Sequence, residues 1–574
     1  MPPFFTACLL LAAALASFDA HALAVEIDAP EGLKPLLVRH LDAARAARLG
    51  ETPGAEEIAR LLRQSEATTR ELLATEGYFS PRVTTTRAGD TLRFAVDPGT
   101  RSIVRRVALT FAGALASDPE GAPLRARIER GFALKSGMPF RQADWDAAKA
   151  GVLAPLLSGQ YLAARITASE ARIDPSAQTA DLTVSVDSGP AFFYGEPVIS
   201  GNQRYPVSVA RNLNPARPGQ PVNQQDLLDY QMALESSGYY SQAFVRVDPD
   251  PATAGAAPVR VEVTERPEKL LSLGAGFSTD TGARVQAEWL SRNIAGRGLR
   301  LKLDGRIETR SQRAAGELAW PRDSKGYAHS LGLQLKREDI EGQETRSSLL
   351  AAKRSRARGQ IESTLSLQYQ TEMQQIGNAL NVRNQALTAN YAWTKRATGR
   401  AFYPFEGYVS TVQAGGAAQA LLSDTSFLRL HGRHTHYVRL GRGDRLVLRG
   451  EAGAVLADTR DGIPTDFLFR AGGDNSVRGY AYQSLGRALN GAVASVRYLA
   501  TGSVEYNHFF NRDWGLALFL DAGDAADALD NLSPVFGYGV GARYRSPVGP
   551  VNLDLAYGED SGKFRLHFSL GVSF

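Results

Sequence analysis

The chain is 574 residues long, 44% of its residues are hydrophobic, and its formal net charge is only +5. This length allows two to five domains, and the composition excludes a largely disordered chain. The arginines are spread along the sequence instead of forming a patch, so a pI near 9.1 does not indicate a nucleic-acid partner. We therefore expect a folded multidomain protein that binds no nucleic acid.

The first 24 residues are typical of a secretory signal peptide. An apolar run from Leu9 to Ala16 is followed by small residues in A-x-A spacing, which predicts cleavage after Ala24 or, alternatively, after Ala22. The single cysteine, Cys8, lies in this segment, so the mature protein is expected to have no disulfide and no thiol chemistry. Downstream there is no run of 18 apolar residues, so a membrane protein with this sequence would cross the bilayer as a closed β-barrel.

A unit of helix and strand patterns is repeated three times before residue 269. Gly77-Tyr78, Gly159-Gln160-Tyr161 and Gly238-Tyr239 each end an amphipathic run and lead into a strand pattern, and each glycine is expected to supply a left-handed helix cap. The amphipathic runs are Ala59–Ala74, Gln142–Leu157 and Gln224–Ser236. The sequence therefore predicts three α+β domains, at residues 25–100, 101–190 and 191–268.

From residue 269 to 574 the sequence alternates between apolar and polar residues in short segments. Clear examples are 300–307, 330–336, 444–451 and 514–519. At roughly 19 residues per strand and turn, this half predicts a transmembrane antiparallel β-barrel of ~16 strands. The final segment alternates from Phe564 and stops on Phe574, which resembles the closing strand of bacterial outer-membrane barrels. Strand boundaries between about 336 and 426 stay open.

One stretch in this half, from Phe469 to Tyr480, combines turn chemistry with a single basic residue. Gly472-Gly473-Asp474-Asn475 favours a tight turn, and Arg478 follows it between Val477 and Gly479-Tyr480. In a chain of α/β repeats followed by a barrel, this stretch resembles the VRGY/F loop motif of the Omp85 superfamily. The longer string Ala-Gly-Gly-Asp-Asn-Ser-Val-Arg-Gly-Tyr is most similar to the TamA branch, and the three repeats resemble POTRA domains.

The resemblance implies a position for this loop. Val477, Arg478, Gly479 and Tyr480 are expected to fold back into the barrel lumen, where Arg478 pairs with a carboxylate of the inner wall. Asp521 and Glu505 each interrupt an apolar alternation on neighbouring predicted strands, and this makes Asp521 the expected partner, with Glu505 nearby. The alternative is that both acids are ordinary lumen residues.

The first and last barrel strands must meet to close the barrel. Gly274 and Gly276 lie in the first of these strands, and Phe568 and Phe574 lie in the last. Glycines weaken the packing of a strand, so this seam is a candidate lateral gate that opens toward lipid. The simpler interpretation is that the glycines allow a close approach of neighbouring side chains.

Three histidines raise the question of a metal site. His434 and His436 would share one face of a strand with His431 nearby, but no carboxylate or thiol completes a ligand set in the sequence. There is no nucleophile elbow, and the Gly-x-Gly at Gly274 opens a strand instead of a helix. We expect no enzyme activity, no metal and no cofactor.

The TamA resemblance implies a function in the bacterial outer membrane, with the POTRA domains in the periplasm. Its expected partner is a TamB-like protein anchored in the inner membrane. Its expected clients are nascent outer-membrane proteins such as autotransporters, or phospholipids on their way to the outer membrane. Two alternatives stay open: a two-partner secretion transporter, against which the third repeat argues, and a passive porin with a periplasmic arm.

Overall fold

The computed structural model describes residues 23–50, 53–399, 403–546 and 549–573. The predicted signal peptide lies outside these residues except for Leu23 and Ala24, and Phe574 lies outside them as well. None of the helices in the described ranges is long and apolar enough to cross a membrane.

Three small α/β domains precede the barrel, and each contains a three-stranded sheet. The first consists of β1 (Ala24–Asp28), α1 (Lys34–His40), α2 (Asp42–Arg48), α3 (Ala55–Thr75), β2 (Arg82–Ala88) and β3 (Thr91–Asp97). The second consists of β4 (Ile103–Ala112), α4 (Ala114–Ser117), α5 (Ala122–Gly131), α6 (Gln142–Leu157), β5 (Arg165–Asp174) and β6 (Thr179–Asp187). The third consists of β7 (Tyr194–Ser200), α7 (Val207–Arg211), α8 (Gln224–Ser236), β8 (Tyr240–Val247) and β9 (Ala257–Glu265).

In each domain the last strand of the sequence, β3, β6 or β9, is the central strand of the sheet. The second domain shows why these residues fold in this way. Every other residue of β6, from Ala180 to Val186, is buried, and α6 buries Trp145, Ala148, Val152 and Leu156 along one stripe. The two periods place a strand face and a helix face in one hydrophobic core.

The helix caps agree with the sequence at two of the three repeats. Gly77 and Gly238 have φ angles of 92° and 85°, in the left-handed region that glycine adopts without strain. The prediction of a left-handed cap is wrong at Gly159, which is absent from the described residues with positive φ. There α6 ends at Leu157, and the N–H groups of Gly159 and Tyr161 both donate to the carbonyl of Leu156.

The second half is a closed antiparallel barrel of 16 strands. Its first eight strands are β10 (Lys269–Ser278), β11 (Gly282–Ile294), β12 (Leu299–Glu308), β13 (Ser311–Ala319), β14 (Tyr327–Ile340), β15 (Gln343–Arg358), β16 (Ile361–Ile376) and β17 (Val382–Thr398). Three more follow before a long loop: β18 (Gly407–Ala417), β19 (Phe427–Arg439) and β20 (Asp444–Leu456). The loop carries a small hairpin of β21 (Arg487–Leu489) and β22 (Ala492–Ala494). The barrel then ends with β23 (Tyr498–Phe509), β24 (Trp514–Ala526), β25 (Val535–Ser546), β26 (Gly549–Gly558) and β27 (Lys563–Ser573).

The outer face of the barrel is apolar. On β14, Leu331, Leu333 and Leu335 expose 47–52% of their surface, whereas Gln334 and Lys336 between and beside them line the interior. This alternation inverts that of a soluble protein and fits a wall between lipid and a wet lumen.

The chain divides into two compact units, and the second unit contains Ile199–Pro215 and Asp229–Val245 of the third α/β domain together with the barrel. Within this unit, hydrogen bonds join the domain to the adjoining ends of β11 and β12. Arg292 Nε donates to the carbonyl of Gly238 over 2.7 Å, and Arg300 Nη1 donates to the carbonyl of Ser237 over 3.1 Å. These charged donors fix this part of the third domain at the end of the barrel where β10 begins.

Candidate functional site

The loop between β20 and β23, residues 457–497, folds into the barrel. Phe467 and Phe469 are buried in one apolar cluster with Val455 of β20 and Leu499 of β23. At the centre of the loop, Gly479 has a φ angle of 94°. The loop approaches the wall closely, because a Cβ atom at Gly537 of β25 would lie only 1.8 Å from the carbonyl oxygen of Arg478.

Arg478 is 2% exposed and makes a bidentate ion pair with Asp521 of β24, which is fully buried. Its Nε lies 2.7 Å from Asp521 Oδ2 and its Nη2 lies 2.9 Å from Asp521 Oδ1. The backbone N–H of Arg478 also donates to Asp521 Oδ2 over 3.1 Å. One carboxylate therefore fixes both the side chain and the main chain of the loop at this point.

Two further carboxylates complete the surroundings of the guanidinium. Arg478 Nη1 lies 2.7 Å from Glu505 Oε2 on β23 and 3.1 Å from Asp554 Oδ2 on β26. A second buried arginine, Arg543 of β25, bridges the same two acids at 3.0 Å and 2.5 Å. The network thus joins four adjacent strands through the loop.

The remaining face of the Arg478 guanidinium packs on an aromatic ring. Its Cζ lies 3.4 Å from the ring centroid of Phe519, a cation–π contact shielded from water. Burial alone would lower the pKa of Arg478, but the hydrogen bond and charge of Asp521, followed by the charges of Glu505 and Asp554, outweigh it and raise that pKa. Arg478 is therefore a permanent cation, and the loop is held by charge-assisted bonds.

A second cluster joins the loop to the last barrel strand, β27, and to the turn that follows the first barrel strand, β10. The N–H of Gly479 donates to His567 Nε2 of β27 over 3.0 Å, so the ring proton is on Nδ1, which donates to Asp474 Oδ1 over 2.5 Å. Asp280, in the turn after β10, accepts a hydrogen bond of 3.3 Å from the N–H of Asp474. Burial, followed by the charge of Asp474, raises the pKa of Asp280 to about 6.

Asp280, Asp474 and His567 could present three metal-ligand atoms within 4.8 Å of one another. Both ring nitrogens of His567 are already engaged, however. If Nδ1 bound a metal, Nε2 would have to carry the ring proton, and that proton would then face the N–H of Gly479. The geometry therefore favours a hydrogen-bonded latch between the loop and the seam over a metal site.

The seam itself is short. β10 and β27 pair over Gly274–Ser278 and Ser569–Ser573, whereas β15 and β16 pair along their full lengths. Gly274 lies opposite Ser573 and Gly276 lies opposite Gly571. Phe568 continues the contact beyond the ladder, since its carbonyl accepts a 2.9 Å hydrogen bond from the N–H of Thr279.

The structure brings together all the loop and wall residues that the sequence singled out. Val477 and Tyr480 are buried on either side of the Arg478–Gly479 pair, and the Tyr480 hydroxyl donates to the carbonyl of Phe536 over 3.2 Å. Sequence reasoning missed Asp554 and Arg543. Both lie at inward positions of the alternating strands β26 and β25, so inward-facing charges next to Asp521 and Glu505 were the available signal.

The histidines of β19 do not form one cluster. His431 lies at a lumen-facing position, where its Nε2 is 2.8 Å from Glu451 Oε1. His434 lies on the other face with His436, and its Nδ1 is 2.7 Å from the hydroxyl of Ser410. These positions separate His431 from the other two.

This arrangement defines a class of protein: an outer-membrane barrel with an arginine loop locked inside it and α/β domains ahead of it. A family model for the Omp85 superfamily domain matches residues 273–574. The chain belongs to the Omp85 superfamily. It is an outer-membrane protein with its α/β domains in the periplasm.

The chain is also similar to individual proteins, at low identity or over a short segment. The chain is 23% identical to the outer membrane protein assembly factor BamA of Neisseria meningitidis serogroup B, over 87% of this chain and 71% of that protein. It is 35% identical to the chloroplastic outer envelope protein 80 of Arabidopsis thaliana over 108 residues, which are 18% of this chain and 14% of that protein. The fold is similar to that of BamA from Haemophilus ducreyi lacking POTRA domains 1–3, with a TM-score of 0.66 and 15% identity over 82% of this chain and all of that chain.

Proposed function

We propose that this protein is the outer-membrane subunit of a translocation and assembly module of the TamA type. Its clients would be outer-membrane proteins such as autotransporters, or phospholipids, and its partner a TamB-like protein anchored in the inner membrane. The observation that carries the proposal is a lumen occupied by a bonded loop beside one short seam in the wall. The TamA assignment is supported by the sequence of that loop, Ala471–Tyr480, and by the three α/β repeats.

In this proposal the client enters the membrane through the seam between β10 and β27. In the part of the chain that the structure describes, β10 and β27 share a shorter ladder than any other pair of neighbouring barrel strands, so the wall would open there at the lowest cost in hydrogen bonds. An opened seam exposes two strand edges, onto which a client strand can add by main-chain hydrogen bonds. The outer strands of the three α/β sheets could hold extended client segments in the same way.

No nucleotide enters this mechanism. Strand addition and barrel closure by the client release free energy, and the partner links the outer membrane to the inner membrane. The locked loop would keep the lumen closed meanwhile, which sets the proposal apart from a passive porin.

Affinity purification from outer membranes tests the assignment, using the tagged full chain and a variant that lacks residues 25–100. We expect a long β-rich protein anchored in the inner membrane to co-purify with the full chain and to be lost on truncation. A single large secreted exoprotein in its place would support the two-partner secretion alternative. Large constant single-channel conductance without a protein partner would support the porin.

A second candidate function is general outer-membrane protein assembly, which the similarity to the Neisseria meningitidis relative favours. Depletion of the protein separates the two. Loss of most folded outer-membrane proteins would support the general role, whereas loss of a small subset would support the module.

A further inference from the structure

Three cations stand side by side on the inner wall of the barrel. Arg306 of β12 lies directly opposite Arg313 of β13, and Arg313 lies directly opposite Lys336 of β14. All three side chains line the same interior cavity. We call these residues the basic row.

Like charges directly opposite each other on neighbouring strands destabilise a sheet, so such a row needs compensation. The charge of Lys336 is compensated, since its ammonium lies 3.1 Å from Glu338 and also contacts Asp466 of the loop. The two arginines are compensated less well. Arg313 makes one long ion pair, 3.8 Å to Asp304, and its buried Nε has no hydrogen-bond partner in the described structure. Among the residues that the structure describes, the side chain of Arg306 forms no hydrogen bond or ion pair.

The cavity in front of the basic row has a volume of about 860 Å³. Nine lysines and arginines line it against five aspartates and glutamates, so its wall carries an excess of positive charge. This volume is in the range of cavities that hold small molecules. Ser278 of β10 and His567 of β27 also line it, which places the cavity beside the seam.

We propose that the basic row binds a phosphate-bearing anion, either the headgroup of an anionic phospholipid or free phosphate. Two adjacent guanidinium forks and an ammonium match the oxygens of one compact phosphate better than they match separate carboxylates of an acidic peptide. A bound phosphate would supply the counter-charge that Arg306 lacks and that Asp304 supplies to Arg313 only at 3.8 Å. The inference deepens the proposed function, because it names a ligand class for the lumen of the same barrel.

Isothermal titration of the full-length protein in neutral detergent tests the proposal. The probes are dihexanoyl phosphatidylglycerol, dihexanoyl phosphatidylcholine and inorganic phosphate. The variant is Arg306→Gln with Arg313→Gln, and the matched control is Lys353→Gln, which removes a lumen cation that pairs with Glu317 outside this cavity. We expect phosphatidylglycerol to bind more tightly than phosphatidylcholine, and the double variant to bind it at least tenfold more weakly while the control is unchanged.

The remaining outcomes distinguish a lipid headgroup from free phosphate as the source of the bound anion. Binding of inorganic phosphate that the double variant weakens, with no gain from the lipid, would assign the site to free phosphate. Equal binding by wild type and double variant, or binding of a poly-glutamate peptide alone, would overturn the proposal. Because the double variant removes a repulsion, it should melt no lower than the wild type without ligand, and this excludes misfolding as the cause.

This test is independent of the co-purification experiment. A failed titration would leave the module assignment standing, since the titration measures a ligand of the lumen and the co-purification measures a partner of residues 25–100. A failed co-purification with intact phosphate binding would leave the basic row standing.

Discussion

At the scale of single residues, one buried arginine organises the site. Arg478 brings a loop of 41 residues, from 457 to 497, against the wall through three carboxylates on three strands. Charges this deeply buried are stable only as a complete set, because removing one partner leaves the others without water and without a counter-charge. We call this network of Arg478 and its three carboxylates the lock, because its charges stabilise the loop only as a complete set.

Replacing Arg478 with Ala should destabilise the folded barrel by about 3–5 kcal/mol, because Asp521 and its neighbours would stay buried without their cation. Chemical unfolding monitored by tryptophan fluorescence measures this loss. Arg433→Ala is the matched control, since Arg433 also faces the lumen but its contact with a carboxylate, that of Glu451, is long at 3.9 Å. Equal stability of the Arg478 and Arg433 variants would contradict the lock.

Asp280 should make the latch sensitive to pH. The pKa of its buried carboxyl is raised to about 6, above its ordinary value, so the folded state favours the protonated form. The stabilisation is fully present below the unfolded pKa of ~4 and is lost as the pH rises through about 6.

We therefore expect Asp280→Asn, which is neutral at every pH, to raise the melting temperature relative to wild type at pH 7.5 and to have little effect at pH 4. Thermal unfolding at the two pH values measures the difference. A variant that shifts the melting temperature equally at both values would show that the charge of Asp280 is not the cause.

At the scale of elements, the loop and β25 fit together only because the wall carries a glycine. The carbonyl of Arg478 occupies the space that a side chain at residue 537 would need. Gly537→Ala should therefore push the loop out without removing any charged residue of the network. Its matched control is Gly502→Ala in β23, where the nearest atom to a new Cβ is 4.0 Å away.

Limited proteolysis reports the position of the loop. We expect the Gly537→Ala variant to be cut within residues 457–497 at least tenfold faster than wild type, and the Gly502→Ala variant to be cut at the wild-type rate. Protection of the loop in both variants would show that the close approach at Gly537 is not required for docking.

Much of the architecture could be predicted from periodicity and much of the site could not. Helix α6 has the predicted bounds, because its apolar stripe and its ends are local properties of the sequence. The strand boundaries between 336 and 426 could not be predicted, because strands such as β16 carry polar residues on both faces and so show no clean alternation. The pairing of Arg478 with Asp521 followed from a resemblance, whereas Asp554, Arg543 and the basic row depend on the register of the barrel, which no local pattern specifies.

At the scale of the whole molecule, the barrel combines a locked lumen with one weak seam. The loop contacts β27 through Gly479 and His567, and Asp474 of the same loop contacts the turn after β10. The lock and the seam are thus neighbours, and a change in one reaches the other through a few hydrogen bonds. The predicted domain boundaries at 100, 190 and 268 remain predictions that truncated chains can test.

The central claim is that the seam must open for the protein to work, and a reversible cross-link tests it most directly. Ser278 and Ser569 lie opposite each other on β10 and β27, and cysteines there can form a disulfide in a chain whose single natural cysteine lies in the predicted signal peptide. The matched control places cysteines at Ser348 and Thr371, whose hydroxyls lie 2.8 Å apart across β15 and β16. The measurement is the amount of folded client in the outer membrane before and after reduction. The account predicts that the seam disulfide blocks client assembly and that reduction restores it, while the control disulfide has no effect. Normal assembly with the seam fully cross-linked would contradict it.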